Sequence, residues 1–413
     1  MQLSERDRSL LAGEMGDAQK TAMELLIAVG ETDGAQTLID IEMAHIDGCS
    51  HHGQAGVDFA RMLVEGDGRV QVPTTLNVSS LDLLHPDLYK GDPAVAEAAR
   101  SLMDYYVALG CQPTWTCAPY QLDDRPSFGQ QIAWGESNAI VFANSVLGAR
   151  TNRYGDFMDI CCALTGRAPY AGLHTDERRR ATIQFNLVVP GSILDDDLTY
   201  PLLGHVLGQL AGSRVPVITG LDERATEDRL KALGAAAASS GAVAMFHAVG
   251  VTPEAPSLSE ATGNTALHHV TDLSVDMLRD ARRELTTAIG SLGAVSVGTP
   301  HMSFDEFVSL AALVEGQRTA VPFYVNTSRD VLDKAENAGV MTPIETFGVT
   351  VVTDTCTYMT PIMGDIEGDV MTNSGKWAYY APANLGVNVV IGSLADCVAS
   401  AVTGSVVSTG EWS

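Results

Sequence analysis

The sequence of 413 residues is poor in basic side chains, since 25 lysines and arginines stand against 51 aspartates and glutamates. The resulting net charge of −26 repels phosphate backbones, which argues against a nucleic-acid partner. The sequence also lacks a low-complexity tract, a fixed-period repeat and a long linker, while 46% of its residues are hydrophobic. These features predict a globular chain of two or three domains.

Long hydrophobic runs are missing as well. The N-terminal stretch MQLSERDRSLLAGEMG is charged and has no apolar signal-peptide core. The most apolar stretch, GAAAASSGAVAMFHAVGV, is interrupted by serines and a histidine, so no membrane span and no membrane partner is predicted. Seven cysteines, an odd number, argue for thiols or metal ligands rather than a disulfide framework. We therefore expect a cytoplasmic protein.

What the sequence does contain is a steady alternation of helical and strand patterns. Residues 5–30 predict one helix, QPTWTCAPYQL predicts a strand and loop, and RATIQFNLVV and YPLLGHVLGQLAG predict a strand and a helix. Ser303 and Glu306 form a capping-box pattern that predicts a helix from about Phe304 to Val314. The alternation predicts an α/β protein, which we divide into domains at 1–185, 186–330 and 331–413.

Three cysteines lie at predicted strand ends, where ligands gather in open α/β sheets. Cys117 follows a predicted strand in PTWTCAPY, Cys356 follows GVTVVTD, and Cys397 comes four residues after the predicted helix cap Ser393. Backbone amides at such places lower the pKa of a thiol, and three converging thiolates suit an iron–sulfur cluster or a single iron. A small buried core residue is the alternative for each cysteine.

The other four cysteines fit metal binding less well. Cys161 and Cys162 are adjacent on a predicted helix, so their side chains point about 100° apart. Cys49 lies in a histidine-rich stretch that lacks the paired ligand spacing of a structural zinc site, and His45 from that stretch is predicted as a polar site residue. Cys111 follows a predicted helix end and is expected to be a packing residue.

Several long blocks resemble the large subunit of aconitase X: residues 10–31, 72–77, 134–156 and 163–174, together with GTPHMSFDE and DTCTYMTP. The resemblance implies an aconitase-like fold of three linked α/β/α domains and the dehydration of a small hydroxy acid. In the family this substrate is cis-3-hydroxy-L-proline, which yields Δ1-pyrroline-2-carboxylate, or mevalonate 5-phosphate. The resemblance also implies that Cys117, Cys356 and Cys397 hold iron, as a 2Fe-2S or 4Fe-4S iron–sulfur cluster or as mononuclear iron.

Two departures from the family pattern refine this expectation. Thr299 in GTPH stands where archaeal members often have a cysteine, which favours the hydroxyproline branch and leaves the cluster type open. The superfamily also uses a small swivelling domain that carries a serine base, and the sequence shows no counterpart to it. We therefore expect the swivel domain, and the base with it, on a small partner subunit, so that the enzyme is a heterodimer.

The dehydration itself requires a Lewis acid for the leaving hydroxyl, a base for the α-proton and cations for the carboxylate. Arg150 is the first candidate for the carboxylate, because a guanidinium binds it through two hydrogen bonds, and Lys376 is the second. A surface ion pair and a snorkelling lysine are the structural alternatives. Glu136 and Ser137 are candidates for orienting the substrate amine or hydroxyl.

Neutral and ring donors complete the predicted site, with helix caps, turns and satisfied buried histidines as the alternatives. These donors are Thr75, Asn144, Ser145, Thr151 and His174, with His45 as a catalytic candidate. Few cations lie in the family-like blocks, which favours hydroxyproline over a phosphorylated substrate. A third possibility is a non-catalytic iron-binding or iron-sensing protein, but a sensor needs a nucleic-acid surface, which the acidic charge opposes.

Overall fold

The computed structural model describes residues 1–287, 290–409 and 412, and these form two compact units. The first unit comprises Met1–Leu81 and Gly91–Arg180, and the second comprises Asp82–Lys90 and Ala181–Ser413. Among the described residues, no helix is both long and apolar enough to cross a membrane. The division into three domains at residues 185 and 330 stays a prediction.

The first unit combines small sheets with surrounding helices. Its helices are α1 (Glu5–Leu11), α2 (Asp17–Thr32), α3 (Gln54–Glu65), α4 (Pro93–Ala108), α5 (Ser137–Phe142), α6 (Met158–Thr165) and α7 (Asp176–Arg179). Its strands are β1 (Leu38–Asp40), β2 (Ala44–Ile46), β3 (Thr74–Leu76), β4 (Ala133–Trp134) and β5 (Arg167–Pro169). Strands β3, β2 and β4 form a parallel sheet in that order, and β1 pairs with β5 in antiparallel fashion.

The second unit contains two larger parallel sheets. Its strands are β6 (Ile183–Val188), β7 (Pro216–Thr219), β8 (His247–Ala248), β9 (His269–Ser274), β10 (Leu292–Met302), β11 (Phe323–Thr327), β12 (Val349–Val352), β13 (Asp369–Thr372) and β14 (Val389–Ile391). One sheet has the order β8-β7-β6-β9, and the other has the order β12-β11-β10-β13-β14. Among the described residues, the neighbouring strands of these two sheets pair in parallel, as expected where helices connect successive strands.

Helices follow most of these strands. They are α8 (Thr199–Ala211), α9 (Glu227–Ser240), α10 (Leu258–Thr262), α11 (Val275–Leu285), α12 (Phe304–Val314), α13 (Arg329–Asn337), α14 (Met341–Phe347), α15 (Gly375–Leu385) and α16 (Leu394–Thr403). The five-stranded sheet buries apolar side chains against its helices, and we call this cluster the C-terminal core. Its members include Val295, Phe307, Phe323, Phe347, Val390 and Val398.

Two local predictions were wrong. The single helix expected over residues 5–30 is two helices, because Gly13 (φ 79°) and Gly16 (φ 114°) take backbone conformations that interrupt the helical path. The strand expected in QPTWTCAPYQL is reduced to an isolated bridge between Thr75 and Gln112. By contrast, the capping box of Ser303 and Glu306 is present and starts α12 where predicted.

Candidate functional site

A cysteine and a histidine lie together at the carboxyl end of the five-stranded sheet. Strand β12 ends at Val352, and Cys356 is buried in the turn that follows. One ring nitrogen of His301, near the end of β10, lies within 4.8 Å of the Cys356 sulfur. Burial lowers the pKa of His301 to about 4, so its imidazole is neutral at physiological pH. This pair offers one sulfur and one nitrogen donor.

The turn that carries Cys356 is held by an ion pair between buried Asp354 and partly exposed Arg329. Asp354 has a φ of 60°, which is costly for a residue other than glycine. Arg329 donates two hydrogen bonds to the Asp354 carboxylate, at 2.7 and 2.5 Å, and the Leu83 amide donates a third at 3.0 Å. Asp82 accepts hydrogen bonds from the backbone and side chain of Thr353, at 2.8 and 3.0 Å. The segment 82–90 therefore helps to fix this turn.

Lys376 lies in the first turn of α15 and is 4% exposed, so the snorkelling alternative is wrong. Its ammonium nitrogen lies 5.8 Å from the centre of the Tyr358 ring, which is a cation–π distance. Ser374 caps the helix by accepting a hydrogen bond from the Trp377 amide at 3.0 Å, and its hydroxyl donates to the Thr299 carbonyl. The buried Thr299 hydroxyl oxygen has no partner among the described residues.

A second buried lysine lies close by and was missed at the sequence level. Lys231 on α9 contacts Asp228 at 2.9 Å and also pairs with Glu306. These two carboxylates raise the pKa of Lys231 against the opposing effect of burial. Its ammonium also lies 3.5 Å from the His301 carbonyl oxygen. The lysine is therefore neutralised by protein groups and supports the end of β10.

Cys397 lies in a different environment within the same unit. It belongs to the C-terminal core, and burial together with the neighbouring Asp396 raises the pKa of its thiol well above the usual value. Ser393 caps the helix, as predicted. Across the described part of the chain, Cys397 is in no group of three potential metal ligands. Its assignment as an iron ligand stays a prediction.

In the first unit, Cys117 lies in an irregular segment rather than after a regular strand. The segment turns at Trp115, whose φ is 44°. Cys117 is buried, and its carbonyl accepts a hydrogen bond from the Asn138 amide group at 2.9 Å. A short 3₁₀ helix, Pro119–Gln121, follows. The backbone around this thiol is thus fixed by local hydrogen bonds.

His45 and Thr75 are neighbours across β2 and β3. The Nδ1 atom of His45 lies 2.8 Å from the Thr75 hydroxyl oxygen, and the His45 ring lies 5.8 Å from the Trp134 ring, measured between centroids. Burial lowers the pKa of His45 to about 3, although a hydrogen bond with the Thr116 backbone opposes this shift. The His45 imidazole is therefore neutral at physiological pH and is a weak base.

Glu136 and Ser137 form the start of α5. The Glu136 carboxylate accepts hydrogen bonds from the amides of Asn138 and Ala139 at 2.9 and 3.0 Å, and Ser137 donates to it at 3.3 Å. Glu136 adopts a φ of 59°, so this cap is made at some cost in backbone strain. The contacts match helix capping, and the roles of this pair toward a substrate stay predictions.

The neutral donors near Arg150 also contact one another. Asn144 exchanges two hydrogen bonds with the Thr151 backbone, at 2.9 and 3.1 Å, and accepts a third from buried Arg179 at 2.9 Å. Ser145 is buried in the same short π-helical turn, Ala143–Leu147. These contacts brace the loop that leads to Arg150.

Arg150 and His174 lie side by side in the first unit. Arg150 forms an ion pair with exposed Asp176 at 2.5 Å and donates to the His174 carbonyl at 3.3 Å. The two ring nitrogens of His174 contact Gln131 and Tyr154, both at 2.7 Å. Burial, with smaller effects from nearby arginines, lowers the pKa of His174 to about 3. Both residues therefore have structural partners, and their substrate roles stay predictions.

Sequence reasoning missed His301 and Lys231. A signal existed for His301, because it ends the motif GTPH directly before the predicted capping box of α12. No signal existed for Lys231, whose partner Glu306 lies 75 residues away in the chain.

Family models for aconitase X match almost the whole chain: the first domain over residues 1–177, the second over 181–295 and the third over 292–403. A cis-3-hydroxy-L-proline dehydratase of Pseudomonas aeruginosa is 47% identical over 96% of this chain and 69% of that protein. A phosphomevalonate dehydratase large subunit of Thermococcus kodakarensis is 36% identical over 92% of this chain and 95% of that protein. The crystal structure of the holo-form of aconitase X from Thermococcus kodakaraensis matches with a TM-score of 0.88 and 33% identity, covering 97% of this chain and all of that chain.

Proposed function

Because this chain belongs to the aconitase X family, with the aconitase X fold predicted from its sequence, we propose that it is the large subunit of an iron-dependent hydro-lyase that dehydrates cis-3-hydroxy-L-proline to Δ1-pyrroline-2-carboxylate. The observation that carries the choice of substrate is the ranking of relatives. Two cis-3-hydroxy-L-proline dehydratases are 47% and 43% identical to this chain, whereas five phosphomevalonate dehydratase large subunits are 31–36% identical.

The ion pairs that the basic side chains form within each unit also support cis-3-hydroxy-L-proline as the substrate. A phosphorylated substrate requires several cations, but Arg150 pairs with Asp176, and Arg167 binds Asp7 and Asp40 at 2.8 and 2.7 Å. Lys231 of the second unit is paired with two carboxylates of its own. These partners neutralise the cations, which leaves less positive charge for a phosphate group.

We propose Cys117 and Cys356 as thiolate ligands of the iron, and Cys397 was predicted as the third. Cys356 and His301 fit a metal, because sulfur and imidazole donors both suit iron. A bound iron with an open position would polarise the substrate hydroxyl and help it to leave. Absorption and electron paramagnetic resonance spectra of the iron-loaded protein distinguish mononuclear iron from an iron–sulfur cluster.

From its own residues, the chain would supply charge and orientation. We propose that the buried ammonium of Lys376 meets the substrate carboxylate and stabilises the negative charge that develops beside it as the α-proton leaves. Arg150 is the second candidate for the carboxylate, and His45, Glu136 and Ser137 remain predicted catalytic residues. Thr75, Asn144, Ser145, Thr151 and His174 remain predicted substrate-binding residues.

We further propose a small-subunit partner that carries the swivel domain and the base, which gives a heterodimer. The support is the name of the archaeal relatives, which are large subunits and align over 92–98% of this chain. All seven cysteines are buried and lie outside disulfide bonds, and this suits the reducing cytoplasm, where we place the protein.

The test is to co-express the chain with a small swivel-domain subunit, load it anaerobically with iron, and supply each substrate separately. We expect cis-3-hydroxy-L-proline to lose water, as followed by mass spectrometry, and mevalonate 5-phosphate to remain unchanged. Turnover of mevalonate 5-phosphate alone would assign the chain to the other branch. Full iron content without turnover of either substrate would favour the non-catalytic iron-binding alternative.

A further inference from the structure

We propose that His301 is a protein ligand of the iron through one of its ring nitrogens, beside the Cys356 sulfur, and that Cys397 is a packing residue. The inference rests on the iron dependence proposed above. His301 is fully buried near the end of β10, and one of its ring nitrogens lies within 4.8 Å of the Cys356 sulfur. Both donors therefore belong to the same end of one sheet.

A hydrogen bond to the turn of Cys356 orients the imidazole ring. The Nε2 atom lies 3.2 Å from the carbonyl oxygen of Thr355, and a carbonyl oxygen only accepts. Nε2 therefore carries a proton in this hydrogen bond. Metal-bound histidines commonly donate their other ring N–H to a carbonyl or carboxylate in this way. Thr355 directly precedes Cys356, so a single turn presents the thiol and orients the ring.

The backbone on both sides of His301 is held firmly. Thr327 donates to the Met302 carbonyl at 3.0 Å, and the Lys231 ammonium lies 3.5 Å from the His301 carbonyl. Gly298 has a φ of 82°, and a Cβ atom there would meet the Asn326 carbonyl oxygen, so the strand bends where only glycine fits. A ligand placed on such a rigid support loses little freedom when metal binds.

Cys397 shows the opposite arrangement. It lies in the C-terminal core with apolar neighbours such as Val398 and Val390. If the neutral imidazole of His301 takes the place of the Cys397 thiolate among the ligands, the ligand set carries one negative charge fewer. A histidine ligand would raise the reduction potential of the iron relative to a thiolate ligand, and the more electron-poor iron would polarise a leaving hydroxyl more strongly.

The test compares His301→Ala, His301→Cys and Cys397→Ala with the unmodified protein after anaerobic loading with ferrous iron. Iron per chain, the thiolate-to-iron absorption bands and thermal melting are measured for each, with the small subunit present. We expect His301→Ala to bind iron at least 10-fold more weakly and His301→Cys to keep iron with altered absorption bands. Cys397→Ala is expected to keep full iron and unchanged bands.

Three results would overturn the assignment: full iron with unchanged bands in both His301 variants, loss of iron in folded Cys397→Ala, or no iron in the unmodified protein. The last result would also reject the proposed function. Iron binding that follows the expected pattern without turnover of cis-3-hydroxy-L-proline would reject the proposed reaction and leave the ligand assignment standing. Melting curves identify a variant that fails to fold, and His301→Cys then replaces His301→Ala as the deciding variant.

Discussion

Cys356 and Cys397 follow the two edge strands of the same sheet, β12 and β14, but they differ in what surrounds them. Cys356 lies in the turn at the strand end, beside His301 and a run of buried threonines. Cys397 lies one turn further along, on the face of α16 that packs into the C-terminal core. The comparison teaches that a cysteine after a strand can lie either in the turn at the strand end or on a following helix that packs into the core, and the proposed ligand set follows this difference.

The largest expected effect is at the turn. Cys356→Ser should lose its iron and its dehydratase activity together, because a serine hydroxyl stays protonated at neutral pH and is a poor iron ligand. Iron per chain and turnover of cis-3-hydroxy-L-proline are the measurements, with Cys161→Ser as the control. A Cys356→Ser protein with full iron content would show that Cys356 is no more an iron ligand than Cys397.

The support of the Cys356 turn provides the next test. Asp354→Asn breaks the ion pair with Arg329, and we expect a loss of about 2 kcal/mol in the free energy of unfolding. This loss is smaller than the usual cost of breaking a buried ion pair, because Arg329 is 31% exposed and stays in contact with solvent. Iron affinity should fall as well, since the turn is less fixed. Urea titration and iron loading check both effects.

The matched control for this variant is Asp333→Asn, which removes an exposed carboxylate from the same helix as Arg329. It should change the free energy of unfolding by less than about 0.5 kcal/mol and leave the iron content alone. If both variants behaved alike, the ion pair would have no special part in holding the turn.

Substitution of Cys397 in the C-terminal core should change only the free energy of unfolding. Cys397→Ser places a hydroxyl in the C-terminal core, and we expect a loss of about 1–2 kcal/mol in the free energy of unfolding with iron content unchanged. Denaturant unfolding of the iron-free protein isolates this effect. A stable Cys397→Ser protein without iron would mean that the helix, and not the turn, carries the ligand.

The smallest expected effect concerns His174 in the first unit, whose ring is held by protein groups on both nitrogens. Its pKa of about 3 in the fold lies below the usual value, so the unfolded chain binds more protons between these values and stability falls as pH falls. The stability advantage of the native protein over His174→Asn should shrink by about 1 kcal/mol between pH 6.5 and pH 5.5. An advantage that grows on acidification would show a charged histidine in the fold.

Local signals explain what was predictable from the sequence. The capping pattern of Ser303 and Glu306 placed α12 correctly, and Ser393 caps α16, because these motifs depend on residues three apart. The run of β-branched residues before Cys356 placed this thiol after a strand, as the structure shows. The aconitase X fold was likewise predictable, since long sequence blocks carry the resemblance.

Tertiary contacts explain what was not predictable. The pairing of His301 with the turn of Cys356 joins residues 55 positions apart in the chain, and Lys231 meets Glu306 across 75 positions. The burial of Cys397 depends on which face of α16 meets the sheet. Spacing in the sequence placed Cys397 near a strand end but gave no information on the direction of its side chain.

The most direct test of the comparison is the sulfur coordination of iron in Cys397→Ser, measured by X-ray absorption at the iron edge beside the native protein. If the turn of Cys356 and His301 holds the metal, the two spectra should show the same number of sulfur neighbours and the same nitrogen neighbour. A loss of one sulfur neighbour in Cys397→Ser would contradict the account and make Cys397 a ligand.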